Sequence, residues 1–427
     1  MKKTYYRLKE CAGQLEGINY QEQIECRRSS VNNDSSSVLD CYKSPLHYLN
    51  NIMVLFLLVI LENSVSKGGQ MRCALQCILM MLLLVWFGQS SDAQQPKRIL
   101  FNWDNTVDVN RPLRLQNTKK LPLIMVKGNK FVNSRGDAVL FRGAAIADPD
   151  KIEQQKRWNK TLFEKVKEYG ATIVRIPVHP VPWRMRTPEK YIQLLDQAVN
   201  WCTELDMYII IDWHSIGNLG MELFQDPVYV TTKQETYEFW RTMAVHYKGH
   251  NTVAFFEIFN EPTLYNGQLG RISWTEWKEI NENIISLIRA YDTEKIPLVA
   301  GLDWGYDLTP LHIEPIEAEG IGYVTHPYPH KRQKPYEPKW DEAFGFAADR
   351  YPVFATEFSF VLGKQGMADN GEYGYAIIKY LESKGISWVT WVFDPNWFPQ
   401  LIESWDTFKL TEGGEFFKKA LHKEIAR

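Results

Sequence analysis

From about residue 123 onward, two rhythms of apolar positions alternate along the chain. Short runs rich in Val, Ile and Phe lack a strict in–out alternation. Longer stretches between them repeat their apolar residues every 3.6 positions. The first rhythm belongs to strands covered on both faces, the second to helices burying one stripe. Phe131–Val139 reads as a hairpin, with Asn133, Gly136 and Asp137 at the turn, and Leu140–Ala145 continues as a strand. A helix over Thr161–Tyr169 stops at Gly170 and leads into the strand Thr172–Pro177. Thr187 and Pro188 read as N-cap and first-turn proline of a second helix. Its stripe is Tyr191, Leu194, Leu195, Ala198, Val199, Cys202 and Leu205, and the strand Tyr208–Asp212 follows.

The alternation then continues. A helix over Thr232–Tyr247 precedes an apolar strand from about Val253 that is expected to end at Glu261, because Pro262 cannot donate to a ladder. A helix carrying Trp277, Ile280, Ile284, Leu287, Ile288 and Tyr291 precedes the strand Pro297–Ala300. Strands Gly322–Thr325, Val353–Thr356 and Ile386–Trp391 complete the series, with helices near Trp340–Asp349, Glu372–Lys384 and from Gly414 to the end. Eight strands, mostly separated by helices, predict an α/β fold: a single (β/α)8 TIM barrel behind an N-terminal β-hairpin. An open doubly wound sheet is the competing arrangement, weakened by the lack of a Gly-rich phosphate loop after the first strand.

Composition narrows the class. The 427 residues are 45% hydrophobic and 23% charged, with a formal net charge of -2, so no basic footprint for nucleic acid exists. Residues 1–93 read differently. The first 70 carry mixed charges and a Ser-rich patch, and are expected to be disordered or an over-extended reading frame. Met71-Arg72, an apolar run from Ile78 to Phe87 and Ser91-Asp92-Ala93 resemble a signal peptide over 71–93, cleaved before Gln94. That reading makes the protein secreted or periplasmic, with no stable membrane contact after cleavage; a membrane-tethered form is the alternative. Residues 94–122 read as a linker or irregular edge, and 123–427 as the barrel domain. Five of the six cysteines lie before residue 93, which leaves Cys202, on the apolar face of its helix, as a small core residue.

In such a barrel the chemistry collects at the carboxyl ends of the strands. There the chain places Arg175, Asp212-Trp213-His214, Asn260-Glu261, Asp303-Trp304, His326-Pro327-Tyr328, Glu357 and Trp391. Each has a plain structural alternative: Arg175 a buried ion-pair partner, His214 a satisfied core histidine or half of a metal site. Pro327 and Pro329 keep His326 and His330 from sharing a helix face. Glu261 and Glu357, however, would face each other across the barrel mouth.

The ordered set Arg175, His214, Asn260-Glu261, His326-Pro327-Tyr328, Glu357 and Trp391 resembles glycoside hydrolase family 5, the retaining endo-glycosidases that include many cellulases and mannanases. The resemblance covers about residues 123–425. It implies Glu261 as acid/base and Glu357 as nucleophile, the pair of carboxyl groups in opposite protonation states that retaining hydrolysis uses. It also implies that Arg175 and Tyr328 contact the nucleophile, Asn260 a sugar hydroxyl, and His326 the acid/base, with His214 and Trp391 at the reacting sugar. Trp183, Trp213, Tyr265, Trp304, Trp397 and Phe398 are candidate cleft aromatics, with Trp304 and Trp397 favoured for their polar surroundings. The expected activity is hydrolysis of a β-1,4-glucan by a monomer acting on a β-linked polysaccharide or oligosaccharide, without metal or cofactor. An endo-β-mannanase and a non-catalytic glycan-binding barrel are the alternatives.

Overall fold

A computed structural model describes Leu113 and residues 119–263, 269–362, 368–369 and 372–424. The expected leader at 71–93, the segment before it, most of 94–122 and Tyr265 lie outside the described residues. Eight parallel strands close into a barrel: β1 Arg142–Ala145, β2 Ile173–Val178, β3 Tyr208–Trp213, β4 Val253–Glu257, β5 Ile296–Ala300, β6 Gly322–Val324, β7 Val353–Ala355 and β8 Ser387–Thr390. Each strand pairs with the next in sequence, and β8 returns to β1 through Trp388↔Arg142, Val389↔Gly143 and Thr390↔Ala144. Among the described residues no helix is long and apolar enough to cross a membrane.

Local sequence explains the helices. Helix α1 (Lys160–Glu168) starts at Asn159, whose side chain accepts the Leu162 N–H. Helix α2 (Pro188–Glu204) buries Tyr191, Leu194, Leu195, Ala198, Val199 and Cys202. Helix α3 (Lys233–His246) and helix α4 (Trp274–Tyr291) each open on a capping sequence, Thr232 to Glu235 and Ser273 to Glu276, with the hydroxyl accepting the third N–H. Helices α5 (Tyr336–Ala343), α6 (Glu372–Lys384) and α7 (Glu412–Leu421) cover the remaining strands.

The barrel floor is aromatic. A hairpin, Ile124–Lys127 against Lys130–Asn133, sends Phe131 into edge contact with Phe255 at 5.0 Å, beside Phe141 and Phe354. The interior is therefore dry and apolar at the amino ends of the strands and polar only at the carboxyl ends.

Several details differ from the sequence reading. Strand β4 ends at Glu257, not Glu261. Beyond Ile258 the backbone leaves β5 and turns to an extension of β3, with Asn260 N–H on Trp213 O and Glu261 N–H on Ser215 O. Glu261–Pro262 then pairs with Ile216–Asn218 in a small sheet above the barrel, and Thr263 N–H on Gly217 O carries that pairing past Pro262. Between β5 and β6, where the sequence reading places no helix, run a turn at Leu302–Gly305 and a 3-10 turn at Thr309–His312. Thr187 has φ 74 and makes no side-chain cap bond. A short helix, Pro180–Arg186, precedes it, because both of its early prolines fall in the first turn where no N–H is needed. The helix expected at 340–349 is displaced to α5, with a 3-10 turn at Gly345–Asp349 behind it.

Candidate active site

Arg175 is the third residue of β2 and is fully buried inside the barrel. Its guanidinium organises the floor of the site. Nε and Nη2 form a two-pronged bond to Glu257 at 2.8 and 2.9 Å, and Nη1 donates to Glu357 Oε2 at 2.7 Å. Nη2 also reaches Asn260 Oδ1 at 2.6 Å and Asp212 Oδ2 at 2.9 Å. A planar fork of N–H donors suits carboxylates held at fixed angles, which an ammonium would not match.

Glu357, two residues past β7, takes a second bond on Oε1 from the Tyr328 hydroxyl at 2.8 Å. Burial pushes its carboxyl above the ordinary value; Arg175, His326 and the Tyr328 bond pull the other way. Glu261 faces it from the outer sheet. One carboxylate oxygen of Glu261, one of Glu357 and one ring nitrogen of His326 all lie within 4.8 Å of one another.

His326, fully buried, holds Glu261 through Nδ1 to Oε1 at 3.0 Å and contacts Thr356 Oγ1 through Nε2 at 3.0 Å. Burial disfavours its charge, but the bonds to Glu257 and Glu261 and the charge of Glu357 outweigh burial and raise it to about 9. An imidazolium has no lone pair, so a metal ion using these three groups must first displace that proton.

His214 sits just past β3, with Nδ1 2.6 Å from Asp212 Oδ2. Burial, followed by the charges of His179, Arg175 and His326, drives its pKa well below the ordinary value. A neutral ring donating from Nδ1 leaves Nε2 as an acceptor. Trp391, past β8, stacks flat on this ring, and Trp397 stacks on Trp391 at 5.7 Å. Trp397 is half-buried and is presented by Asp394, whose Oδ1 accepts the Asn396 and Trp397 N–H groups. Lys151 pairs with Asp394 Oδ2 at 2.5 Å and sits 4.9 Å from the Trp397 ring centre. Trp304, also half-buried, donates Nε1 to Gln225 at 2.9 Å and carries Lys331 4.9 Å from its ring centre. The Asn260 Nδ2 group is buried without a protein partner.

The structure thus brings Arg175, His214, Asn260, Glu261, His326, Tyr328, Glu357 and Trp391 to one barrel mouth, with Trp397 and Trp304 at its edges. Trp183 and Trp213 are not cleft residues. Both are core, packed against Phe239 at 5.0 and 4.2 Å between β3 and its helices. Phe398 is exposed. Sequence reasoning missed Glu257 and Thr356, and with them Tyr229 and the Asp148–His179 pair (2.9 Å); the Tyr229 and His179 rings pack against His214. Glu257 carried a signal: a carboxylate interrupting an apolar strand needs a buried cation, and Arg175 was already in view.

A closed parallel barrel with two facing carboxylates at its mouth is the construction of a glycoside hydrolase. Residues 122–396 match the family description "Cellulase (glycosyl hydrolase family 5)", and the chain belongs to that family. A β-glucanase from Saccharophagus degradans, solved with cellotetraose, is 42% identical with a TM-score of 0.73 over 76% of this chain and 99% of that one. Endoglucanase A of Butyrivibrio fibrisolvens is 24% identical over 56% of this chain. An endoglucanase of Clostridium saccharobutylicum is 23% identical over 70% of it. The aligned regions span 52% and 64% of those two relatives.

Proposed function

We propose that this chain is a retaining endo-β-glycanase that hydrolyses β-1,4-glucan through a covalent glycosyl-enzyme. The observation that carries the reading is the closeness of Glu261 and Glu357, with carboxylate oxygens within 4.8 Å. Retaining enzymes hold their two carboxyl groups about 5–5.5 Å apart; inverting ones need roughly 6.5–9.5 Å to admit a water between them. Glu357, held by Arg175 and Tyr328, attacks the anomeric carbon as the bond to the leaving oxygen breaks. Glu261 gives that oxygen its proton. Water then opens the ester, and Glu261 takes the proton back. The open Asn260 Nδ2 is suited to a sugar hydroxyl, where bonds strengthen as charge develops.

The choice of glucan is supported by the Saccharophagus degradans β-glucanase and its cellotetraose, and by the endoglucanase names of the relatives. Secretion as a monomer, after cleavage before Gln94, is part of the proposal and rests on the sequence of residues 71–93. N-terminal sequencing of the exported product tests it: an intact N-terminus in a membrane fraction refutes cleavage.

The enzymatic test is reducing-sugar release by the full chain from soluble β-glucan, carboxymethylcellulose, mannan and xylan, with the first anomer formed read by proton NMR. Expected are glucan cleavage with retention, and losses of about 10²–10⁴-fold or more in Glu261→Gln and Glu357→Gln. Preference for mannan would replace the substrate and keep the mechanism. An inverted first product, or a folded chain inert on all four polymers, would overturn the reading.

A further inference from the structure

Glu257 is the last residue of β4, below the two facing glutamates, and is fully buried. Each of its contacts leads to one of them. On one side it clamps Nε and Nη2 of Arg175, which leaves Nη1 aimed at Glu357. On the other side its Oε1 accepts the Thr356 hydroxyl at 2.9 Å and lies 3.5 Å from His326 Nε2. His326 in turn holds Glu261. We infer that Glu257 is a positioning residue for both halves of the reaction, the shared anion that fixes Arg175 against Glu357 and His326 against Glu261. The inference rests on the roles given to those two glutamates above.

The hydrogen-bond directions carry the argument. An ionised carboxylate only accepts, so the Thr356 hydrogen is committed to Glu257. The Thr356 oxygen then offers a lone pair to His326, which fixes N–H at Nε2. What remains is Nδ1, facing Glu261 Oε1 at 3.0 Å. A proton there belongs to either partner, as an imidazolium beside a carboxylate or as an imidazole beside a carboxylic acid. The pair therefore loses its last proton as a unit, and that loss removes the general acid. Glu257 is well placed to delay it. Burial opposes the Glu257 charge, yet Arg175 and His326 hold its carboxyl down at about 2, so the anion persists.

Other charged groups also face His326. Glu261 follows β4, Glu357 follows β7, Asp212 lies on β3 and His214 follows it, with Arg175 of β2 behind Glu257. The β5 side brings only backbone: a Cβ on Gly305 would stand 3.0 Å from His326 Nδ1. Of the anions, Glu257 is the one that also grips Arg175 with two prongs.

The experiment is an imidazole NMR titration of His326 in the full chain, wild type against Glu257→Gln, with the rate–pH profile on soluble glucan alongside. Gln keeps the shape and loses the charge. Expected are a His326 titration lowered by about one unit or more, an alkaline rate limb lowered with it, and kcat down at least about tenfold with KM within about twofold. An unmoved titration with a folded variant, or an unchanged kcat, overturns the inference. If Glu257→Gln does not fold, Thr356→Val is read in its place. It removes the hydroxyl that orients Nε2, and a titration within about 0.2 units of wild type overturns the inference equally. A wild type that cuts no glucan yet shows the NMR shift separates the two readings: the proposed function fails while the coupling of Glu257 to His326 stands.

Discussion

The indole of Trp391 lies flat on the imidazole of His214, with ring centres 5.4 Å apart and planes 4° from parallel. The two rings come from separate strand ends of the barrel mouth, past β8 and past β3. Each therefore fixes the other's plane, and the neutral His214 keeps its Nε2 lone pair toward the site. Trp391→Ala removes the plane and lets water reach His214. Losing a buried aromatic face is worth about 2–3 kcal/mol, so kcat/KM should fall roughly 30- to 150-fold. The His214 titration should rise toward its ordinary value as burial eases. Steady-state kinetics with an NMR titration check both, and a loss of rate without that rise would show that the rings do not depend on each other.

Tyr328 donates to Glu357 Oε1 at 2.8 Å, and a hydrogen bond to the charged form lowers a carboxyl pKa. Burial already holds Glu357 above its ordinary value. Tyr328→Phe removes one of the groups opposing that rise. The Glu357 pKa should climb further, and the acid limb of kcat/KM should move to higher pH by about 0.5–1 unit. The rate at neutral pH should change less than the rate on the acid side. A limb that stays in place, or moves to lower pH, contradicts this placement of the hydroxyl.

Much of this site could be read from the chain because barrel strands end where polar residues begin. Arg175, His214, Asn260, His326, Glu357 and Trp391 each interrupt or follow an apolar run, and the barrel brings such positions together. What could not be read lies in non-local pairing. Nothing near Glu261 says that the backbone changes neighbours after Ile258, since the Trp213 and Ser215 carbonyls it turns to are 47 and 46 positions earlier for their respective partners. Trp183 and Trp213 looked like cleft residues because they stand beside strand ends, yet Phe239 of α3 covers both. Glu257 was passed over because its apolar neighbours read as core, although its side chain points to the one interior guanidinium named in the sequence.

Trp304 is presented by backbone that L-residues avoid. Asp303, Trp304 and Gly305 have φ of 58, 56 and 72, a left-handed turn that costs non-glycine residues roughly 1–2 kcal/mol each. Lys331 donates to Asp303 O at 2.7 Å and packs on the indole, which holds the turn. Gly305 abuts His326, so Trp304 lies on the side of Glu261, from which the proposed mechanism sends the leaving group. Trp397 lies across the site, against Trp391 and His179. Trp304→Ala should therefore slow polymer cleavage about tenfold, from roughly 1.4 kcal/mol of lost contact, while sparing an aryl cello-oligosaccharide whose leaving group is small. Trp397→Ala should slow both substrates. Equal loss on both substrates from Trp304→Ala would place that indole on the wrong side.

The buried charges also set how stability depends on pH. His326 rises from 6.5 to about 9 on folding, because its bonds to carboxylates outweigh burial. A group whose folded pKa is raised contributes stability that is complete below the unfolded value and is lost as pH climbs through the folded one. For His326 the loss runs from about 6.5 to about 9. Glu257 has the opposite sign: its carboxyl falls from 4.5 to about 2, so its contribution is present above 4.5 and disappears as pH drops toward 2. Thermal melts of wild type and His326→Gln across pH 5–10 isolate the first effect. The Tm difference between them should be constant below about 6.5 and shrink steadily up to about 9. A difference that grows with pH would mean that the His326–Glu261 pair binds fewer protons in the folded protein than in the unfolded chain, against the raised titration.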